Sequence, residues 1–106
     1  MKSKNYKKFP KHFNLQPYKP SGGAGVSAFE IGENYLIARF KSDEEIYLYN
    51  EENPGREDVE QMINRAREDE GLSTYINTIV KGNYIAKWDN ELKRFIPKNE
   101  GFSLRK

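Results

Sequence analysis

Val59, Met62, Ile63 and Ala66 stand at the i, i+3, i+4, i+7 spacing that gives a helix a single apolar stripe. Asn53-Pro54-Gly55 precedes the stripe as a breaker, and Glu57, Asp58 and Glu60 place carboxylates near a helix start, where unpaired backbone amides favour negative charge. Gly71 offers a stop. One such helix can cover one face of a sheet, so the sequence around it is read for strands.

Val26 to Ile31 is rich in β-formers, Gly32-Glu33-Asn34 is turn chemistry, and Tyr35 to Lys41 is a second β-favouring run. Ser42 to Glu45 makes the next turn and Ile46-Tyr47-Leu48-Tyr49 a third strand. The expected core is a three-stranded antiparallel meander in an α+β domain, packed by the amphipathic helix. Ser73 to Val80 satisfies helix and strand templates loosely; a short second helix, capped by Ser73 and ended by Gly82, is the reading adopted. Tyr84 to Trp88 and Leu92 to Ile96 flank Asp89-Asn90-Glu91 as a C-terminal hairpin carrying the only tryptophan.

A chain of 106 residues has room for one such domain. Residues 1 to 25 are expected to form a flexible basic and aromatic arm, with Tyr6, Phe9, Phe13 and Tyr18 among its lysines, ending in the Gly-rich joint Ser21-Gly22-Gly23-Ala24-Gly25. Residues 26 to 97 form the domain and 98 to 106 a frayed tail. Cysteine is absent, which excludes disulfides, thiolate metal sites and thiol nucleophiles. No apolar run approaches bilayer length, and the expected compartment is the cytoplasm.

Charge is distributed unevenly. Residues 1 to 20 hold six lysines and no acid, residues 21 to 70 hold thirteen acids against five bases, and residues 71 to 106 hold seven bases against three acids. The net values are +6, −8 and +4, so the formal total of +2 conceals an acidic centre between basic ends.

The order of Phe40-Lys41-Ser42, Ile46-Tyr47-Leu48-Tyr49, a helix containing Ala66, and Tyr75-Ile76-Asn77 with Ile79 and Lys81-Gly82 resembles the KTSC domain over roughly residues 26 to 84. In this chain Gly71 stands two residues further from Tyr75 than in that family's turn, and Ile76 replaces an aromatic. The resemblance implies a small α+β fold, found alone or attached to larger proteins, with no established activity and a suspected association with nucleic acid.

The residues carry little reaction chemistry. His12 is the sole histidine and lacks a nucleophile or metal-ligand neighbours in its pattern. The glycines of residues 21 to 25 match neither phosphate-binding order. Asp43-Glu44-Glu45 and Glu51-Glu52 could gather at one sheet edge around a hard cation, as a metal-dependent nuclease would need, but show no recognised ligand spacing. No catalytic, cofactor or metal residue is assigned, and the chain is expected not to be an enzyme.

Binding signals remain. If Leu36, Ala38 and Phe40 face the helix together with Ile46 and Leu48, then Tyr35, Ile37, Arg39, Lys41, Tyr47 and Tyr49 form an aromatic and basic surface opposite. Such a face can stack bases and meet phosphates, with Lys4, Lys7 and Lys8 of the arm adding charge. Alternatively Phe9, Phe13, Leu15 and Tyr18, or Trp88 and Phe95, cover it as core. The acidic stretch, centred on Glu57, Asp58 and Glu60, suits a basic protein surface, as small phage or mobile-element inhibitors do. A non-enzymatic module with a protein partner is the first expectation and a single-stranded nucleic-acid binder the second.

Overall fold

The computed structural model describes residues 9–18 and 25–98. It is an α+β fold with a six-stranded antiparallel sheet in which every strand neighbours the next in the chain. The strands are β1 (Gln16–Pro17), β2 (Val26–Ile31), β3 (Tyr35–Phe40), β4 (Ile46–Asn50), β5 (Ala86–Asp89) and β6 (Arg94–Pro97). Helices α1 (Arg56–Arg67) and α2 (Leu72–Tyr75) lie between β4 and β5 in the chain. The expected class therefore holds, but the three-stranded meander is only the middle of the sheet; β1 extends it on one side and the hairpin β5–β6 on the other. Among the described residues no helix is long and apolar enough to cross a membrane.

Helix α1 forms as its pattern requires, with Val59, Met62, Ile63 and Ala66 all buried. Its stop differs from the expected one. The helix ends at Arg67, Asp69 takes the left-handed conformation at φ 54°, and Gly71, at φ 83°, instead opens α2. Ser73 does not cap α2. Its hydroxyl accepts the amide of Val26 at 3.0 Å, tying the second helix to the start of β2. The helical path then continues from Ile76 to Val80 in π geometry, burying Ile76 and Val80, and ends at Lys81, ahead of Gly82.

Each face of the sheet carries a core. Beneath the helices lie Val26 and Phe29 of β2, Leu36 and Ala38 of β3, and Tyr49 of β4, packed with Met62, Leu72 and Val80. A bulge between Val26 and Ala28 lets Val26 share this face with Phe29, which strict alternation over their odd separation would forbid. On the opposite face Ile37, Leu48, Ala86 and Phe95 form a second cluster with Phe13, Leu15 and Trp88 packed on it. Phe13 meets Trp88 edge-on at 4.8 Å between centroids, and Trp88 meets Phe95 at 5.1 Å.

The described part of the arm, residues 9–18, packs against the sheet that begins for the rest of the chain at residue 26. Gln16 and Pro17 pair with Phe29 and Ala28. Tyr18 then crosses to the helix face, where it is 5% exposed and its hydroxyl accepts the amide of Leu72 at 2.8 Å. Most of the Gly-rich joint (residues 21–24) and of the expected frayed tail (99–106) lies outside the described residues, as do Lys4, Lys7 and Lys8.

Candidate functional site

The acids expected to meet a partner have different surroundings. Glu57 and Glu60 are exposed on the first turns of α1, Glu60 lying 3.4 Å from Arg56 in an ion pair that water screens to little net worth. Asp58 is half-buried and accepts the Tyr75 hydroxyl at 2.7 Å, while the Arg65 guanidinium covers the same ring at 4.6 Å from its centre. Desolvation, helped by the bond to Asp58, raises the pKa of Tyr75. Asp58 thus holds α2 against α1, and Asp58→Ala is expected to lower stability by about 1 kcal/mol in a urea titration, against less than about 0.5 kcal/mol for Glu57→Ala.

The aromatic and basic residues do not form one platform. Phe40 donates its amide to the Glu45 carbonyl at 3.1 Å, and Glu44 turns left-handed at φ 59°, leaving four residues between Phe40 and Glu45. That closure pairs Ile37 with Leu48, Ala38 with Tyr47, and Leu36 with Tyr49. Directly paired residues share a face, so β4 is in the opposite phase to the one expected. Tyr47 and Tyr49 lie under the helices, and Ile46 and Leu48 on the other face. Tyr35 stays on that other face and donates its hydroxyl to Glu30, which also accepts the Asn14 amide. Burial first, and then Glu30, raises the pKa of Tyr35. Arg39 is exposed with its Nε on the Ser27 hydroxyl at 3.2 Å, and exposed Lys41 sits at the turn, its amide on the Gly25 carbonyl.

The acidic turns are likewise separated. Asp43-Glu44-Glu45 enters β4 and Glu51-Glu52 follows its far end, where Glu33 and Asn34 of the β2–β3 turn join them around a cleft of about 460 Å³ walled by Phe9 and Tyr35. Among the described residues no three His, Asp or Glu side chains converge to hold a metal ion.

A smaller recess, of about 270 Å³, opens on the helix side between the β3–β4 turn and the end of the π segment. Its aromatic walls are Phe40, Tyr47 and Tyr84, with centroids 5.6 Å apart for the first pair and 4.7 Å for the second. Asp43 stands on one lip and Lys81 on the other. Tyr49 also lines the recess, yet it is 2% exposed, and its hydroxyl has no hydrogen-bond partner among the described residues. Burial, reinforced by Tyr47 and Tyr84, raises its pKa steeply. Lys81 adopts φ 56° and ψ −127°, a backbone region glycine favours and other residues enter at a cost of about 1–3 kcal/mol.

The chain matches no protein-family model, no curated protein and no solved structure. The KTSC likeness therefore rests on its residues alone, and the site is argued from its own geometry. Sequence reasoning missed the recess because Tyr84 read as part of the terminal hairpin and β4 was placed in the wrong phase. The available signal was the clustering of Phe40, Tyr47 and Tyr49 around a turn.

Four tyrosines with raised pKa fix the sign of the alkaline response. Tyr35, Tyr47, Tyr49 and Tyr75 hold their protons more tightly folded than unfolded, so the stability they lend is fully present below their ordinary value of 10.0 and falls as pH rises above it. Phenolate absorbance and loss of far-ultraviolet circular dichroism are expected to rise together above that pH. Tyr49→Phe should shift the alkaline midpoint upward.

Proposed function

We propose that this protein is a non-enzymatic recognition module, acting in the cytoplasm, whose partner is a protein with a basic surface. The observation that carries this reading is the charge of the described residues. Residues 9–18 and 25–98 hold eleven bases against fifteen acids, a net −4, although the whole chain is +2. A polyanion is repelled by such a charge and a basic protein is drawn to it. Glu57 and Glu60, exposed on α1, supply the acidic contact, with Asp58 setting the helix pair that presents them.

The nucleic-acid reading, including its KTSC form, rests on Lys4, Lys7 and Lys8 and on an aromatic sheet face. Support for the second element is weak, because Tyr35 and Arg39 lie on one face and Tyr47 and Tyr49 on the other. The test compares variants in affinity capture from lysate. Glu57→Lys with Glu60→Lys is expected to lower recovery of a bound protein by at least about tenfold with the unfolding midpoint little changed, while Arg39→Ala leaves recovery intact. Recovery that follows Arg39 and Tyr35 rather than the acids would reverse the assignment.

A further inference from the structure

We infer that the recess beneath the β3–β4 turn is a binding site for an arginine side chain of a protein partner, an assignment that rests on the protein-recognition reading and names its anchor. Three observations on independent elements converge on it. Phe40 and Tyr47 of adjacent strands and Tyr84 beyond the π segment present rings at mutual angles of 80° and 60°, walls that offer both faces and edges to an occupant. Ring faces attract a cation, and most strongly where water is thinned. These rings already attract cations, since the ammonium of Lys98, which donates to the carbonyl of Gly82 in the same lining at 2.6 Å, lies 4.8 Å from the centre of Tyr84, and that of Lys87 lies 5.8 Å from Tyr47.

The second observation is charge. Ser42 and Asp43 line the recess on the turn side, and Asp43 and Glu45 are among the causes that raise the pKa of Tyr47, after burial. Glu45 is satisfied by Lys87 at 3.4 Å, which leaves Asp43 as the carboxylate facing the opening. One oxygen of Asp43 already accepts the Glu45 amide at 2.9 Å, and a carboxylate has capacity for further donors. Lys81 borders the opposite lip, so a cation is seated toward Asp43 and an anion toward the lysine is opposed by the acidic turn.

The third observation selects among cations. The hydroxyl of Tyr49 is buried at the lining with no hydrogen-bond partner among the described residues, where buried polar groups are ordinarily paired. A quaternary ammonium would fill the aromatic walls and leave that oxygen bare. A guanidinium is planar, stacks on rings, and has five donors, enough to reach the Tyr49 oxygen and the Asp43 carboxylate at once. An arginine projecting from a basic protein surface therefore uses every feature the recess presents.

The test uses the full chain and blocked peptides in which the central residue is arginine, lysine or the neutral isostere citrulline. Amide resonances of residues 42–49 and 76–84 are followed by heteronuclear nuclear magnetic resonance during titration. The arginine peptide is expected to shift them saturably, with the citrulline peptide weaker by at least about tenfold. Tyr49→Phe removes only the unpartnered oxygen, and Asp43→Asn keeps the acceptor for the Glu45 amide, so both variants fold; each is expected to weaken arginine binding several-fold. Equal binding of arginine and citrulline, absence of saturation, an oligonucleotide moving the same amides more strongly, or indifference to both substitutions would overturn the site. If the arginine peptide fails while a captured protein still depends on Glu57 and Glu60, the recess assignment falls and the protein-recognition reading stands. If the captured protein fails that dependence while the peptide binds, the recess assignment stands and Glu57 and Glu60 fall as the contact.

Discussion

A chain that begins at Lys19 is expected to lose its cooperative unfolding transition, followed by far-ultraviolet circular dichroism in urea. The missing segment would take away Tyr18, buried beneath α2 with its hydroxyl on the Leu72 amide, and the pair made by Gln16 and Pro17 with β2. It would also strip Phe13 and Leu15 from Ile37 and Phe95 on the other face. Full burial of a large apolar side chain contributes about 1.5–3 kcal/mol, so buried Tyr18 and the partly buried Phe13 and Leu15 together supply a substantial share of the 5–15 kcal/mol that holds an ordinary domain of this size together. The Leu72 amide, left buried without its acceptor, adds about 1–3 kcal/mol to the loss. An unchanged transition midpoint in the shortened chain would show that residues 9–18 are an appendage after all.

The second large effect is expected at Ile37. On an open sheet face, Ile37→Lys would be close to neutral, because a lysine there keeps its charge in water. Ile37 is 0% exposed and sits in the cluster with Leu48, Ala86 and Phe95, so its replacement forces a charge into an apolar layer. The expected cost exceeds about 4 kcal/mol, enough to unfold a marginal domain, whereas Arg39→Ala two residues on should stay within about 0.5 kcal/mol. A thermal melt of both variants decides the matter. Similar melting for the two would mean that the far face is open, and the aromatic platform would return as a binding surface.

These expectations mark where sequence and structure part. The stripe from Val59 to Ala66 was legible because a helix of three turns averages its periodicity over several residues, and all four positions are buried as the spacing requires. The β3 strand was legible for the same reason, with Leu36, Ala38 and Phe40 turned to the helices. The phase of β4 was not. It depends on whether four or five residues close the turn after Phe40, which Glu44 decides by adopting a left-handed conformation that its identity does not announce. One residue of slip carried Tyr47 and Tyr49 from an expected surface into the core side.

The bulge at Val26 and the crossing of Tyr18 are hidden in the same way. Both are settled by contacts distant in sequence, Val26 through the Ser73 hydroxyl and Tyr18 through the Leu72 amide. In the arm, abundant lysine masked the four side chains Phe9, Phe13, Leu15 and Tyr18, although their ability to cover the sheet was readable from their type. At the candidate site, Glu57 and Glu60 lie exposed as their helix positions imply, but the use of Asp58 by Tyr75 depends on how α2 docks, which no local pattern records.

The most direct test of the central claim, that the acids exposed on α1 recognise a protein, is affinity capture by the full chain from a lysate divided between nuclease-treated and untreated halves. The account predicts that one protein is retained equally in both halves and elutes as salt is raised, since the contact is between opposite charges. Loss of all retained protein after nuclease treatment would contradict it and assign the recognition to nucleic acid.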